Sequence, residues 1–208
     1  MAYDSSFMTT LSRVISNTLT AIYQPFWFSV ILTVFILFFY LYAYGPQNSE
    51  GIKSAIKIWV VEFKSNIYFR KLFVFVFFTV LILFKTLLNR DMWANPVSNV
   101  LGNWGIWKID SSGDIELSTE CIENLMLMMP FVFLYQWLKS DNDATKKKKN
   151  IIFNSVKVGF LFSLSIELLQ LFLRLGTFQL SDIFYNTFGG LIGGLIFLIF
   201  SRVHFKQL

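Results

Sequence analysis

Residues 165–194 read SIELLQLFLRLGTFQLSDIFYNTFGGLIGG, and this stretch decides the fold. It joins two apolar segments, Ile151 to about Leu173 and Ile183 to Phe200, through a short turn at Gly176. Each segment is close to the length of about 20 residues that an α-helix needs to cross about 30 Å of hydrocarbon. The stretch therefore predicts a membrane-spanning helical hairpin.

The composition of the whole chain agrees with a membrane environment. Of the 208 residues, 55% are hydrophobic, 19% are aromatic and 15% are charged, whereas about 25% of the residues in a soluble domain are charged. Three further segments have the length and apolarity of a membrane span: Phe26 to Tyr44, Leu72 to Leu88 and Ile122 to Leu138. We therefore predict an all-α integral membrane protein with about five transmembrane helices.

Two shorter segments have the pattern of amphipathic helices. Apolar residues recur on one helical stripe at positions 8, 11, 15, 19 and 22, opposite Ser12, Arg13 and Asn17. This predicts an interfacial helix within residues 1–25, ahead of a single transmembrane domain over 26–208. A similar apolar stripe from Ile52 to Phe63, opposite three lysines, predicts a basic helix on the membrane surface. For both helices a partner-binding surface is the alternative.

Basic residues indicate the orientation, because cytoplasmic loops of membrane proteins carry an excess of Lys and Arg. The segment between the first two spans and the segment between the third and fourth are both basic, and the latter contains Lys146 to Lys149. We expect both in the cytoplasm, with the N-terminus outside and the C-terminus inside. The same lysine run in a soluble chain would suggest nucleic-acid binding; here we expect no nucleic-acid partner.

The counts of cysteine and histidine exclude a zinc or haem site that needs several such ligands. The chain has one cysteine, Cys121, and one histidine, His204, whereas zinc and haem sites usually need several such ligands. The carboxylates form no calcium-loop pattern. We therefore expect no metal and no cofactor.

Ionisable residues at membrane depth cost about 2.5–3.5 kcal/mol each on insertion scales, so they commonly mark function. Glu167, Gln170 and Arg174 are spaced i, i+3 and i+7 on the fourth span. At 3.6 residues per turn this spacing places them within an arc of about 60° on one helix face. We therefore predict a polar stripe on this helix.

The fifth span carries a second stripe, which consists of polar residues at its start and of glycines further along. Its members are spaced i, i+4, i+7 and i+11: Asp182, Asn186, Gly189 and Gly193. Gly190 and Gly194 repeat the small-xxx-small spacing that lets helix backbones approach closely. Arg174 is expected to reach Asp182, so that each neutralises the other. The alternative is that the polar residues only lock the hairpin together.

These residues resemble the C-terminal signature of VanZ-like membrane proteins: a Glu, a Gln three residues later, an Arg four further on, then Asp-x3-Asn-x2-Gly. The segments FKTLLNR (84–90), NPVSNVLG (95–102) and ENLMLMMPF (123–131) resemble further family segments in the same order. The resemblance covers about residues 80–200. Two departures are Val132, where many members have Gly, and Val97 in place of the usual Phe.

The resemblance implies a bacterial cell-membrane protein. It also implies a link to low-level resistance to teicoplanin and related lipid-tailed glycopeptides, the property of the founding member. No mechanism comes with the family. The resemblance marks these signature positions as candidate site residues: Glu167, Gln170, Arg174, Asp182, Asn186, Arg90 and Asn124.

Three hypotheses for the function follow. We favour a non-enzymatic envelope protein that binds a lipid-linked cell-wall precursor or a lipoglycopeptide in an outward-facing polar cavity. Residues 89–121 would roof this cavity, and Arg174 and Arg90 would hold a phosphate or carboxylate. Membrane lipids are the other expected partners.

The second hypothesis is an integral-membrane enzyme acting on a lipid head group, with Glu167 or Asp182 as general base and Arg174 stabilising negative charge. It is less favoured because the sequence contains no Ser-His, Cys-His or phosphate-cradling glycine motif. The third is a proton-coupled transporter, and the internal repeats typical of that class are not visible.

Overall fold

The computed structural model describes residues 8, 11–13, 15–17, 19–20, 23–44, 51–88, 92, 95–105, 107–109, 115–117, 119–140 and 148–204. In chain order its helices are α1 (Phe26–Tyr44), α2 (Ile52–Ser65), α3 (Ile67–Leu83), α4 (Glu120–Ser140), α5 (Lys148–Leu173) and α6 (Leu180–His204). A π-helical turn over Phe84–Leu88 extends α3. All except α2 are long and apolar enough to cross a membrane, which confirms the predicted five-span all-α fold.

Two faces of the bundle follow from the alternating helix directions. The loop face contains the end of α3, the start of α4, the end of α5 and the start of α6. The opposite, basic face contains α2, the end of α4 and the start of α5. Contacts at the basic face join neighbouring helices: the Lys71 ammonium lies 5.1 Å from the Trp137 ring centroid, and Gln136 donates to the Ser155 hydroxyl at 2.8 Å.

Helix α4 is continuous, although Glu123, Asn124 and Pro130 interrupt its apolar sequence. Proline is tolerated in membrane helices where neighbouring groups satisfy the freed backbone carbonyl. The core between α3, α4 and α5 is apolar and includes Phe131, whose ring stacks on that of Phe162 with centroids 4.1 Å apart. This core holds the three helices together.

The glycines of α6 lie at two helix crossings. A Cβ atom on Gly189 or Gly193 would collide with the α4 backbone at Leu125 and Met129. A Cβ atom on Gly190 would lie 3.2 Å from the Gly159 Cα of α5, and one on Gly194 would collide with the Ser155 side chain. Helix α6 therefore packs closely against α4 as well as against α5, so its environment is not that of a two-helix hairpin alone.

The described residues between Met8 and Thr20 are helical. The apolar stripe residues Met8, Leu11, Ile15 and Leu19 are exposed on the protein surface, as are Ser12, Arg13 and Asn17 of the opposite stripe; Ile22 lies outside the described residues. On the polar side, Asn17 contacts α4 and the residue before it, since its amide donates to Glu123 at 2.7 Å and to Thr119 at 3.4 Å. The division into residues 1–25 and 26–208 stays a prediction.

Two short antiparallel strands, β1 (Trp107–Ile109) and β2 (Ile115–Leu117), precede α4, with Lys108 paired to Glu116. The residues that join the two strands, 110–114, lie outside the described residues.

Candidate functional site

Glu167 is buried near the loop-face end of α5, with 2% of its surface exposed. Its carboxylate accepts a hydrogen bond of 2.8 Å from the backbone N–H of Gln179, the residue just before α6. A buried charge is expensive unless it is paired or hydrogen-bonded. Glu167 therefore ties the end of one span to the beginning of the next.

Gln170 occupies the next turn of α5 and is 3% exposed. Its side-chain amide donates to the backbone carbonyl of Thr86 at 2.8 Å. Thr86 lies in the π-helical turn of α3, where the wider helix leaves backbone groups outside the regular i→i−4 pattern. The hydrogen bond joins α5 to α3 and satisfies a carbonyl in the apolar interior.

Arg174 does not share the stripe of Glu167 and Gln170, and the predicted ion pair with Asp182 is wrong. Helix α5 ends at Leu173, and Arg174 has a left-handed backbone with φ of 56°. The N–H of Arg174 donates to Leu171, and the N–H of Leu175 donates to Gln170, which is the pairing of a Schellman C-cap. This C-cap turns the chain away from the helix axis after Leu173. In the described part of the chain, no ion pair joins Arg174 to Asp182.

The Arg174 side chain is exposed at the loop face. It makes no hydrogen bond or ion pair with another described residue. A non-glycine residue in this left-handed conformation costs about 1–2 kcal/mol, and glycine is the usual residue at this position of the cap. The chain thus keeps an exposed guanidinium where glycine would be less strained.

Asp182 and Asn186 lie on the first two turns of α6. Asp182 is half-buried and accepts a hydrogen bond of 3.4 Å from the Ser181 hydroxyl. Asn186 is 6% exposed, and its amide donates to the Ser163 hydroxyl of α5 at 2.9 Å. The side-chain oxygen of Asn186 has no hydrogen-bond partner among the described residues. Asn186 therefore continues the α5–α6 polar contact below the turn.

Residues 95–105 cover the start of α6. The backbone N–H groups of Phe178 and Leu180 donate to Pro96 and Val100, each at 2.9 Å, and the Tyr185 hydroxyl donates to the Trp104 carbonyl at 2.8 Å. Gly102 has a φ of 72° and lies so close to Ser181 that a side chain there would collide with the hydroxyl. The NPVSNVLG segment is therefore joined to the α5–α6 turn.

Two other predicted positions are less defined. Asn124 is half-buried on α4 and makes no hydrogen bond with another described residue. Arg90 lies outside the described residues.

Sequence reasoning missed an ion pair that lies between α3 and α4. The Lys85 ammonium is 3.0 Å from the Glu123 carboxylate. The other carboxylate oxygen of Glu123 accepts hydrogen bonds from Thr119 at 2.6 Å and from Asn17 at 2.7 Å. A usable signal was present: ionisable residues of opposite sign lie near the loop-face ends of two consecutive, antiparallel spans.

Together these features define a five-span membrane protein whose loop face contains a layer of hydrogen-bonded polar residues under a short covering loop. Residues 25–201 match the model of the VanZ/LLP1 family, and the chain belongs to this family. The match begins well before residue 80 and so includes α1 and α2. No curated protein and no solved structure is significantly similar to the chain.

Proposed function

We propose that this VanZ/LLP1-family protein binds the anionic group of a lipid-linked cell-wall precursor or of a lipid-tailed glycopeptide at the loop face. Binding would keep the drug from its target and so contribute to resistance to teicoplanin-type glycopeptides. The observation that carries the proposal is Arg174, an exposed guanidinium without an ion pair among the described residues, on a strained backbone position. A guanidinium presents paired donors in a fixed fork that suits phosphate and carboxylate groups.

The surroundings of Arg174 suit a ligand that has both a charged and an apolar part. Phe172 and Leu173 precede Arg174 and are 78% and 52% exposed, and Leu180, which begins α6 after the turn, is 42% exposed. The buried Glu167 and Gln170 hold the turn in place from beneath. An exposed cation with exposed apolar residues close by in sequence is therefore available to an amphiphile that approaches from the membrane interface.

The orientation proposed for this activity places the loop face outside the cell. Lysines and arginines of the described residues are concentrated on the opposite face, on α2, at the start of α3 and at the ends of α4 and α6. The positive-inside rule favours the cytoplasm for that face. The bound group would then belong to the outer leaflet, where lipid-linked cell-wall precursors are exposed to glycopeptides.

The test compares Arg174→Ala with Arg202→Ala, which makes the same change at an exposed arginine on the basic face. Cells producing each variant at equal membrane abundance are exposed to teicoplanin and to a glycopeptide without a lipid tail. We expect Arg174→Ala to abolish the teicoplanin resistance that the wild type and Arg202→Ala confer. Unchanged resistance in Arg174→Ala at equal abundance contradicts the proposal.

A further inference from the structure

A groove of about 420 Å³ lies between α3 and α4, away from α5 and the turn that follows it. This volume is within the range of about 300–1,000 Å³ that is usual for ligand pockets. Its walls are apolar side chains from three membrane-spanning helices: Phe78, Ile82, Met126, Leu127, Phe133 and Ile196. The groove is therefore a lateral opening that lies among the hydrocarbon-spanning parts of the helices.

Charge is confined to one end of the groove. Lys85 and Glu123 line it at the loop-face ends of α3 and α4. Phe133, which also lines it, is ten residues from Glu123 along α4, a distance of about 15 Å at 1.5 Å rise per residue. The hydrocarbon core is about 30 Å thick, so the groove extends over about one leaflet.

The hydrogen-bonding capacity at the charged end determines which head group fits. Glu123 already accepts from Thr119, Asn17 and Lys85. The Lys85 ammonium has three N–H donors and uses one of them, on Glu123, among the described residues. The remaining capacity is thus two N–H donors on the Lys85 ammonium, whose charge Glu123 balances, and these donors suit an oxygen of a lipid phosphate.

We infer that the groove binds one acyl chain of a membrane phospholipid from the leaflet at the loop face, with the lipid phosphate at Lys85. Three observations agree on this occupant: apolar walls open to the bilayer, a length of one leaflet, and unused cationic donors at the interfacial end. The phosphate can accept from Lys85 while Thr119 and Asn17 continue to hold Glu123. This site shares no lining residue with the α5–α6 turn and does not depend on the proposed role of Arg174.

The experiment uses the full-length protein in vesicles that contain trace phosphatidylglycerol with a photoreactive diazirine on its acyl chain. A chain-matched diacylglycerol, which lacks the phosphate, is the reference probe. After illumination, labelled peptides are mapped by mass spectrometry. We expect the peptides containing residues 78–85 and 123–133 of the wild type to be labelled about tenfold more by phosphatidylglycerol than by diacylglycerol, a ratio equivalent to about 1.4 kcal/mol.

Two variants separate the head-group and chain contributions. Lys85→Gln should bring the two probes within about twofold of each other, whereas Lys157→Gln, the same change at an exposed lysine of α5, should keep the tenfold ratio. Met126→Trp should reduce groove labelling by both probes, because the larger ring enters the opening. Leu161→Trp, at a residue of α5 that is 47% exposed, should not.

Equal labelling of the wild-type groove by both probes, or a tenfold ratio retained in Lys85→Gln, overturns the phosphate assignment. Unchanged labelling in Met126→Trp overturns the site itself, and this variant decides the matter if Lys85→Gln does not accumulate. Arg174→Ala should label like the wild type. Its labelling and its resistance phenotype therefore report separately on the groove and on the proposed function.

Discussion

Replacing Gly193 with alanine should loosen the contact between α6 and α4. A Cβ atom there would lie well inside the sum of the van der Waals radii with the Met129 carbonyl oxygen, 3.1 Å from the Met129 carbonyl carbon and 3.2 Å from the Phe133 nitrogen. All three are backbone atoms of α4, so only a shift of one helix against the other relieves the collision. Overpacking a close-packed core costs about 1–3 kcal/mol, and we expect a cost near the upper limit of that range.

The matched control is Gly190→Ala on the α5-facing side of the same helix. Its Cβ atom would lie 3.2 Å from Gly159 Cα and from Val132 Cγ2, and 3.3 Å from the Ser155 oxygen. Small shifts of a few tenths of an ångström relieve these contacts. Alanine also favours a helix interior over glycine by about 0.5–1 kcal/mol. The net effect is therefore expected to be near zero at Gly190 and about 2 kcal/mol destabilising at Gly193.

Thermal unfolding of the purified protein in detergent measures this difference. A change of 1 kcal/mol shifts the Tm of a chain of 150–250 residues by about 2–4 °C. We expect Gly193→Ala to unfold about 4–8 °C below the wild type and Gly190→Ala within about 2 °C of it. Equal Tm values for the two variants would refute the assignment of Gly193 to a backbone-to-backbone crossing.

Two further predictions concern the polar layer and the topology. Gln170→Leu leaves the Thr86 carbonyl without its hydrogen-bond donor in the protein interior. The lost hydrogen bond should lower the free energy of unfolding by about 1–3 kcal/mol. If Gln170→Leu has the same Tm as the wild type, measured together with an exposed control such as Leu168→Gln, the contact is contradicted. Alkaline phosphatase fused after Ser112 should be active and the same enzyme fused after Lys148 inactive, because the loop face is expected outside the cell; equal activity of the two fusions would contradict the orientation.

At Arg174 a helix C-cap overrides the position that helical periodicity predicts. The i, i+3, i+7 spacing assumes that the helix continues through residue 174, and that assumption places Arg174 beside Glu167. Helix α5 instead ends at Leu173 in a Schellman cap. The left-handed residue that closes this cap leaves the helix face, so the guanidinium is exposed. This exposed guanidinium supports the functional proposal.

The amino-acid sequence by itself determined that the chain lies in a membrane, how many times it crosses it and to which family it belongs. These depend on local properties, since apolarity and length decide whether a segment crosses the bilayer. The sequence also identified Glu167, Gln170 and Asn186 as polar positions at membrane depth. Helical periodicity shows which residues share a face of one helix.

Only the tertiary structure decided which helix each face meets. Gly189 and Gly193 lie against α4, and Gly190 and Gly194 lie against α5. The pair of Lys85 and Glu123, which are 38 residues apart, exists because α3 and α4 pack side by side. Periodicity contains no information about the neighbour across a helix interface, because that choice depends on how all the side-chain shapes fit together at once.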